Sequence, residues 1–468
     1  MNEADVCFLS AAELAQAIAA KRLSPIEVIE AFSRRIELVN PKLNAYCHLR
    51  LDEAREEARA AEAAVARGDT LGSLHGVPIS VKDMEDVAGT PNTLGSRAMA
   101  ANVSAADAPM VERLRHAGAI ILGKTNTAEF GHKGVAENPL FGISRNPWDL
   151  ARTPGGSSGG AAAAVAAGLG PIAVGNDGAG SIRIPASLCG VYGLKPSFGR
   201  IPQTILPNRF LTFPCTGPIT RTVRDSALAL GLSAGSDDRD PMSIAAYPDD
   251  YEAALGGGVR GARIGVSPDL GLGAADPEVA KAFDSAIEVF RDLGAEVRAV
   301  EIDASPYQDA EWVLWRALYA GVADLIDLDR WRGELTPELV EIIDAGQSLS
   351  ARDYLRSQVQ WSGFYETMRA YFVSHEFLVT PTLRCPAFAV GRLGPDGSDA
   401  ANPILGWFLT YPFNVTGHPA ASVPCGFAAG GLPIGLQIVG RRHADADVLR
   451  ASAAFERVRP WSDRRPQI

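Results

Sequence analysis

The sequence predicts an α/β fold built around a largely buried sheet. Short apolar runs alternate along the chain with segments of helical texture, and no internal repeat or long polar linker breaks the alternation. The composition supports a large core. Of 468 residues, 47% are hydrophobic and 21% charged, which is ordinary usage for a globular chain. With no linker to separate units, residues 1–468 are expected to form one domain rather than several. Within it the texture divides into a helical start (1–69), a motif-dense stretch (70–235) and a C-terminal part (236–468).

The elements follow in order. Ser10 with Glu13, and Ser24 with Pro25 and Glu27, are helix-start signals in which a serine side chain accepts from the backbone and a glutamate returns the bond. Residues 52–67 combine strong helix formers with charge pairs three or four apart. Val77–Val81 then reads as a strand. Ala119–Leu122 follows a helical stretch at 108–117, and Pro171–Val174 follows the Ala-rich segment 160–169. Ala262–Val266 precedes a helix opening at Asp276-Pro277-Glu278, with Glu296–Ile302 after it, and Phe377–Thr380 and Ile434–Val439 are late strands. Residues 305–372, with helix starts at Thr336-Pro337 and Ser350, are expected to cap the sheet. The glycines of 256–261 mark a candidate seam.

Charge and cysteine usage exclude several classes. Lys and Arg total 44 against 55 Asp and Glu, a net charge of −11, so the chain is a poor electrostatic match to nucleic acid or anionic lipid. The six cysteines, at 7, 47, 189, 215, 385 and 425, form no CxxC or Cys/His cluster, so neither a zinc site nor a disulfide framework is indicated. The start, MNEADVCFLS, lacks the basic and apolar regions of a secretory signal. The weakly polar stretch Gly159 to Gly175 is Ala- and Gly-rich and contains Pro171, a poor membrane span. A cytoplasmic protein without membrane contact is expected.

The densest chemical signal lies at 154–181, PGGSSGGAAAAVAAGLGPIAVGNDGAGS. Two glycine-serine clusters flank a small-residue helix and a strand. Glycines at 178 and 180, just before Ser181, permit a turn whose N–H groups converge as an oxyanion hole beside a serine. The same composition also describes two plain flexible turns. Gly118 to Thr125 matches GxxxxGK[ST] literally, but its four central residues are apolar and read as strand, so a phosphate loop is not expected. Gly155–Gly159 matches GxSxG without the preceding strand that a nucleophile elbow needs. GNDGAGS lacks dinucleotide spacing. None of the seven histidines forms an HExxH pair. If a serine here is a nucleophile, a neutral lysine can be its base, and Lys82, at the end of an apolar strand, is the candidate.

The set GVPISVKD, GKTNTAEF (123–130), NPWDLARTPGGSSGG (146–160), GNDGAGSIRIPASLCGVYGLKPSFGRIP (175–202) and TGPITRTVRDSALAL (216–230) resembles the amidase signature family. The likeness is dense over about 70–235 and continues through TYPFNVTGHPAASVPCG (410–426) and LPIGLQIVGR (432–441). It implies a large, mostly buried mixed sheet flanked by helices on both faces. It also implies a Ser-Ser-Lys triad: Ser181 as nucleophile, Ser157 as bridging serine after a cis peptide from Gly156, and Lys82 as base. The backbone N–H groups of Gly178, Ala179, Gly180 and Ser181 would hold the oxyanion, and Asp177 would orient that turn. No metal or organic cofactor is required. Where the family commonly reads Gly-Thr-Asp-x-Gly-Gly-Ser, this chain has Asn176 for Thr and Ala179 for the first Gly of the pair. Ala179 need supply only an N–H, which it can do at negative φ.

The expected function is hydrolysis of a small-molecule carboxylic amide through an acyl-enzyme, with an apolar or aryl acyl group. One alternative is the glutaminase component (the A subunit) of a tRNA-dependent amidotransferase, which commonly reads Ser-Ile-Arg-Gln-Pro where this chain has Ile184. Another is a binding module without hydrolysis. A homodimer is allowed. Candidate pocket walls are Leu206, Phe210 and Phe213, within the apolar stretch Ile201–Cys215 that also holds Ile205 and Leu211. Trp407, Phe408 and Tyr411, and Trp312 and Trp315 on the expected cap, complete the set.

Overall fold

A computed structural model describes residues 3–245, 250–397 and 404–468. Thirteen strands occur among them: β1 Tyr46–Leu49, β2 Pro78–Lys82, β3 Ile120–Thr125, β4 Glu137–Asn138, β5 Gly142–Ile143, β6 Ile172–Asp177, β7 Tyr192–Lys195, β8 Cys215–Thr220, β9 Arg263–Val266, β10 Glu296–Ala299, β11 Phe377–Pro381, β12 Ala420–Phe427 and β13 Pro433–Gly440. Strands β4 and β5 pair only with each other. The other eleven make one sheet in the order β1-β3-β2-β6-β8-β7-β12-β13-β11-β9-β10.

The sheet is mixed. β3, β2 and β6 run parallel, as do β11, β9 and β10, while the pairs from β6 through β8, β7, β12 and β13 to β11 are antiparallel. Every residue of β2, β3, β6, β7, β8, β11 and β13 is buried, so both faces are covered. This explains why β2, β3, β6, β11 and β13 read as continuous apolar runs rather than alternating ones. The helix Gly159–Ala166 is buried along its whole length, and its small residues let it lie close against the sheet and its loops. A Cβ on Gly160 would sit 2.4 Å from the Ala45 carbonyl oxygen.

Local signals were followed closely. Ser10 and Ser24 form capping boxes on the helices Ala11–Ala19 and Pro25–Leu43, and Ser350 does so on Ala351–Ser374. The helix Pro277–Asp292 begins at Asp276, and Pro337–Gln347 begins at Thr336. The stretch 305–372 is helical, as expected. Its helix Gln308–Ala320 packs on Pro337–Gln347 and Ala351–Ser374. Glu129, buried behind β3, ties this region down, accepting at Oε2 from the Thr336 N–H at 2.7 Å and from its hydroxyl at 2.5 Å. Four sheet strands lie outside the apolar runs: β1, β7, β8 and β12. β8 and β12 contain Pro218 and Pro424, and β1 and β7 have four residues each.

The literal phosphate-loop match is a strand. Lys124 on β3 is fully buried, forms an ion pair with Asp83 at 3.4 Å and donates to Asn92 Oδ1 at 3.1 Å. No described helix is long and apolar enough to cross a membrane. Among the described residues no disulfide joins the six cysteines.

Candidate active site

The site forms where the C-terminal ends of the parallel neighbours β2 and β6 meet the turn that leads into the helix Gly159–Ala166. β2 ends at Lys82. Because side chains alternate along a strand, Lys82 and Asp83 point to opposite sides. Asp83 engages Thr93 and Lys124. Lys82 Nζ, with no solvent exposure, donates to Ser157 Oγ at 2.6 Å and to Asn176 Oδ1 at 2.5 Å. Burial lowers the Lys82 pKa to about 7, and the carboxylates of Glu85 and Asp177 oppose the shift.

Ser157 sits in the tight segment before the helix Gly159–Ala166, and the Gly156–Ser157 peptide is cis. Backbone crowding selects glycine at 156, where a Cβ would lie 2.5 Å from the Val135 carbonyl carbon. The Ser158 N–H donates to the Ser181 carbonyl at 3.2 Å, which holds the two serine-bearing segments side by side.

Ser181 follows β6 through the turn Gly178–Gly180 and precedes the helix Arg183–Cys189. Gly180 has φ +136, open to glycine alone, and Ala179 does not take a positive φ. Among the described hydrogen bonds, the N–H groups of Gly178, Ala179, Gly180 and Ser181 have no acceptor in the protein. The turn is held from behind instead. Thr410 Oγ1 donates to the Ala179 carbonyl at 2.6 Å. Asp177, fully buried, accepts from Arg183 Nε and Nη2 at 2.9 Å each and from Asn414 Nδ2 at 2.9 Å. Burial alone would raise the Asp177 pKa, but the guanidinium outweighs it and holds the carboxyl at about 2. Arg183 also donates to the Thr410 carbonyl, Gln437 and Asn414. A fully bonded buried pair of this kind fixes geometry more than it adds stability.

Ser157 and Ser181 line one cavity of about 430 Å³ together with Met84, Phe130, Gly131, Asn176, Gly178, Gln203, Ile205, Leu206, Leu211, Pro214, Trp315, Leu318 and Tyr319. Away from the serines and Asn176 it is mostly apolar, with Gln203 and Tyr319 the polar exceptions. Leu206, Leu211 and Leu318 also line a wider hollow of about 1180 Å³, which includes Phe213, Leu314 and Val322. The expected walls are thus redistributed. Leu206, Ile205, Leu211 and Trp315 face the serine cavity, and Phe213 lines the outer hollow, 6.5 Å from the Trp315 ring.

Phe210, Trp407 and Tyr411 lie elsewhere. Phe210 is 72% exposed and lines neither space. Trp407 is buried in the core, edge-on to Phe388 and Phe408, with its Nε1 donating to the Leu393 carbonyl at 3.0 Å. Tyr411 packs edge-on to Trp361 and Phe408. Rings of this size bury most area in the core, which is where two of these three sit. Phe408 belongs to the same stack, and Trp312 lies on its own helix under Arg316.

Glu85, Thr216, Arg183, Thr410 and Asn414 join the site without having been singled out from the sequence. Arg183 and Thr216 stand inside quoted motifs, and Thr410 and Asn414 inside TYPFNVTG, so the signal was present but carried no assigned role. Glu85 lies among the acids Asp83, Glu85 and Asp86 that follow Lys82, and nothing in the sequence assigned it a role.

The Amidase family profile matches residues 27–449. An acylamidase of Rhodococcus erythropolis is 43% identical over 470 residues, covering 100% of this chain and 98% of that protein. The A subunit of the glutamyl-tRNA(Gln) amidotransferase of Moorella thermoacetica is 38% identical over 488 residues, 99% of each. Among solved structures, a bacterial aryl acylamidase of the amidase signature family superposes with TM-score 0.92 at 38% identity, over 97% of both chains.

Proposed function

The chain belongs to the Amidase family and is an amide-hydrolysing enzyme; from that premise we propose that it works by acyl transfer to Ser181, with Ser157 and Lys82 relaying the proton. The observation that carries this reading is the 2.6 Å contact between Lys82 Nζ and Ser157 Oγ in a fully buried setting, beside a cavity that both serines line. Once Lys82 has lost its proton, the same contact runs in the other sense. Ser157 Oγ–H gives its proton to Nζ and takes the proton of Ser181, whose Oγ attacks the amide carbonyl. The free N–H groups of Gly178 to Ser181 receive the oxyanion. The relay returns the proton to the leaving nitrogen, the amine departs, and water cleaves the acyl-enzyme by the same path. Asp177 and Arg183 hold the turn and take no part in proton transfer.

The substrate is a small carboxylic amide carrying an apolar or aryl group. The lining by Ile205, Leu206, Leu211 and Trp315, continued outward by Phe213 and Leu314, supports this, as do the acylamidase and aryl acylamidase relatives. The likeness to the amidotransferase component motivates a second reading, glutamine hydrolysis for a partner complex. Ile184, buried against Gly180, and the apolar lining favour the first. A single domain acting alone in the cytoplasm fits a sheet that draws strands from all three stretches of the chain, and cysteines without disulfides.

The test is labelling by a serine-directed fluorophosphonate, followed by peptide mass spectrometry. A single adduct at Ser181, lost in Ser181→Ala and formed without any partner protein, is expected. An adduct at another serine, or none until a partner is added, would overturn the reading.

A further inference from the structure

Asn176 stands where the resemblance called for threonine, and it is clamped between two ionisable groups. Its Oδ1 accepts from Lys82 at 2.5 Å, and its Nδ2 donates to Glu85 Oε1 at 3.1 Å. Thr216, directly opposite Asn176 in the β6–β8 pairing, donates from Oγ1 to the same Glu85 oxygen at 2.9 Å. Glu85 lies three residues beyond Lys82 and is 1% exposed, and its own N–H donates to the Lys82 carbonyl at 3.0 Å. Among the described residues no ion pair within 4 Å involves Glu85.

We propose that Glu85 is a positioning residue for the proton relay: it fixes Asn176 with its carbonyl oxygen toward Lys82, and its buried charge sets the pH at which the relay turns on. This rests on the triad reading above. Hydrogen-bond capacity sets the orientation. A carboxylate oxygen accepts, whereas a carboxamide offers a donor at one end and an acceptor at the other. With Nδ2 committed to Glu85, Asn176 can present only an acceptor to Lys82. A neutral amine has two N–H groups and one lone pair. One N–H is taken by Asn176 Oδ1, and the lone pair is left for the proton of Ser157. A reversed carboxamide would bring an NH₂ group to compete for that lone pair.

The charge effect follows from what surrounds the amine. Lys82 is faced by Glu85 from the turn after β2 and by Asp177 from the end of β6. Asp177 is neutralised by Arg183 and lies near Lys195 of β7. Asp86 flanks Glu85, and Asp83 is turned away to Lys124. Ser157, Asn176 and Thr216 are neutral. Burial pushes the Glu85 carboxyl itself up to about 7, so its charge develops over the same pH range as the loss of the Lys82 proton. Where it is ionised it favours the protonated amine, and removing it should move the acid limb of activity to lower pH.

The experiment measures the rate of fluorophosphonate labelling at Ser181 against pH, with kcat and KM on an amide that the wild type hydrolyses. Glu85→Gln keeps an acceptor for Asn176 and Thr216 and removes the charge. Its acid limb should shift down by up to about one pH unit, the lower end of the effect of a fully ionised neighbour, and its plateau should fall far less than that of Glu85→Leu. Glu85→Leu removes the acceptor too, and its plateau should fall at least about tenfold at unchanged KM, a part of what a general base contributes. Because Glu85→Leu can fail to fold, circular dichroism accompanies each variant, and Asn176→Ala gives the same loss of orientation from the other side. In the Asn176→Ala background, Glu85→Gln should shift the limb without lowering the plateau further. An unshifted limb in Glu85→Gln, or wild-type plateaus in both Glu85→Leu and Asn176→Ala, overturns the proposal. Lys82→Ala separates the two levels. If it labels like wild type across the pH range, the triad reading itself fails. If it is silent while the Glu85 and Asn176 variants behave as wild type, only the present inference fails.

Discussion

A Cβ placed on Gly180 would lie 2.1 Å from Thr410 Oγ1, the hydroxyl that donates to the Ala179 carbonyl. The turn before Ser181 and a segment 230 positions later in the chain are therefore in backbone-to-side-chain contact, with no room between them. Gly180→Ala should lower kcat by about 10²-fold or more, the scale of losing one oxyanion donor. Thr410→Ser should not rescue it, because the hydroxyl remains. Steady-state kinetics alongside circular dichroism checks this, and a Gly180→Ala variant with near-normal kcat would dissolve the close-contact argument.

Ser181→Ala should abolish turnover with the fold intact, leaving only binding and oxyanion effects. Ser157→Ala should be nearly as inactive, since the proton then has no route to Lys82. A full kcat in either, measured by product release, would remove that residue from the relay.

Lys82→Arg should be as inactive as Lys82→Ala, because a guanidinium stays protonated. Wild-type activity should rise with pH through about 7, where Lys82 loses its proton. Stability carries the complementary sign. The native pKa lies below that of an unfolded lysine, about 10.4, so between the two values the unfolded chain binds the extra proton and the native state gains stability as pH rises. That contribution is lost as pH falls from about 10.4 to about 7. Lys82→Met, which has no charge to bury, should therefore show its most favourable Tm relative to wild type near pH 6, with the difference shrinking toward pH 10. A Tm difference independent of pH, measured by calorimetry, would count against a depressed Lys82 pKa.

Apolar and aryl amides should have higher kcat/KM than glutamine, by roughly fourfold for each well-buried methylene, from about 0.8 kcal/mol apiece. Trp315→Ala should raise KM for aryl amides, and Phe210→Ser should leave it unchanged, since Trp315 lines the serine cavity and Phe210 is exposed. A better kcat/KM for glutamine than for every apolar amide tested would revive the amidotransferase reading.

How far the sequence reached follows from what each signal depends on. Lys82, Ser157 and Ser181 sit in motifs of fixed spacing, and the structure brings Lys82 and Ser157 into contact and both serines to one cavity. Strands β2, β3, β6, β9, β11 and β13 were visible as apolar runs because both faces of the sheet are covered. β8 and β12, which carry Pro218 and Pro424, were not among the expected strands, yet each pairs on both sides. Glu85 was illegible for a different reason. Its burial comes from Asn176 and Thr216, which reach it from β6 and β8, and nothing local distinguishes it from the solvated acid of a turn. The aromatic walls were the weakest reading. Trp407, Tyr411 and Trp315 look alike along the chain, and only the packing of the helices over the sheet decides which ring meets the cavity.

The position of β12 and β13 bears on how the protein matures during its own synthesis. These strands, built from residues 420–440, lie in the interior of the sheet between β7 and β11, and Thr410, Asn414 and Gln437 complete the bonds around Ala179, Asp177 and Arg183. A growing chain therefore displays Lys82, Ser157 and Ser181 long before the residues that brace the turn ahead of Ser181 leave the ribosome. Until then Arg183 has Asp177 but lacks Thr410, Asn414 and Gln437, and two strand edges wait without their partners. A nascent or truncated chain ending before these strands should therefore be catalytically silent and prone to stick to others through those open edges.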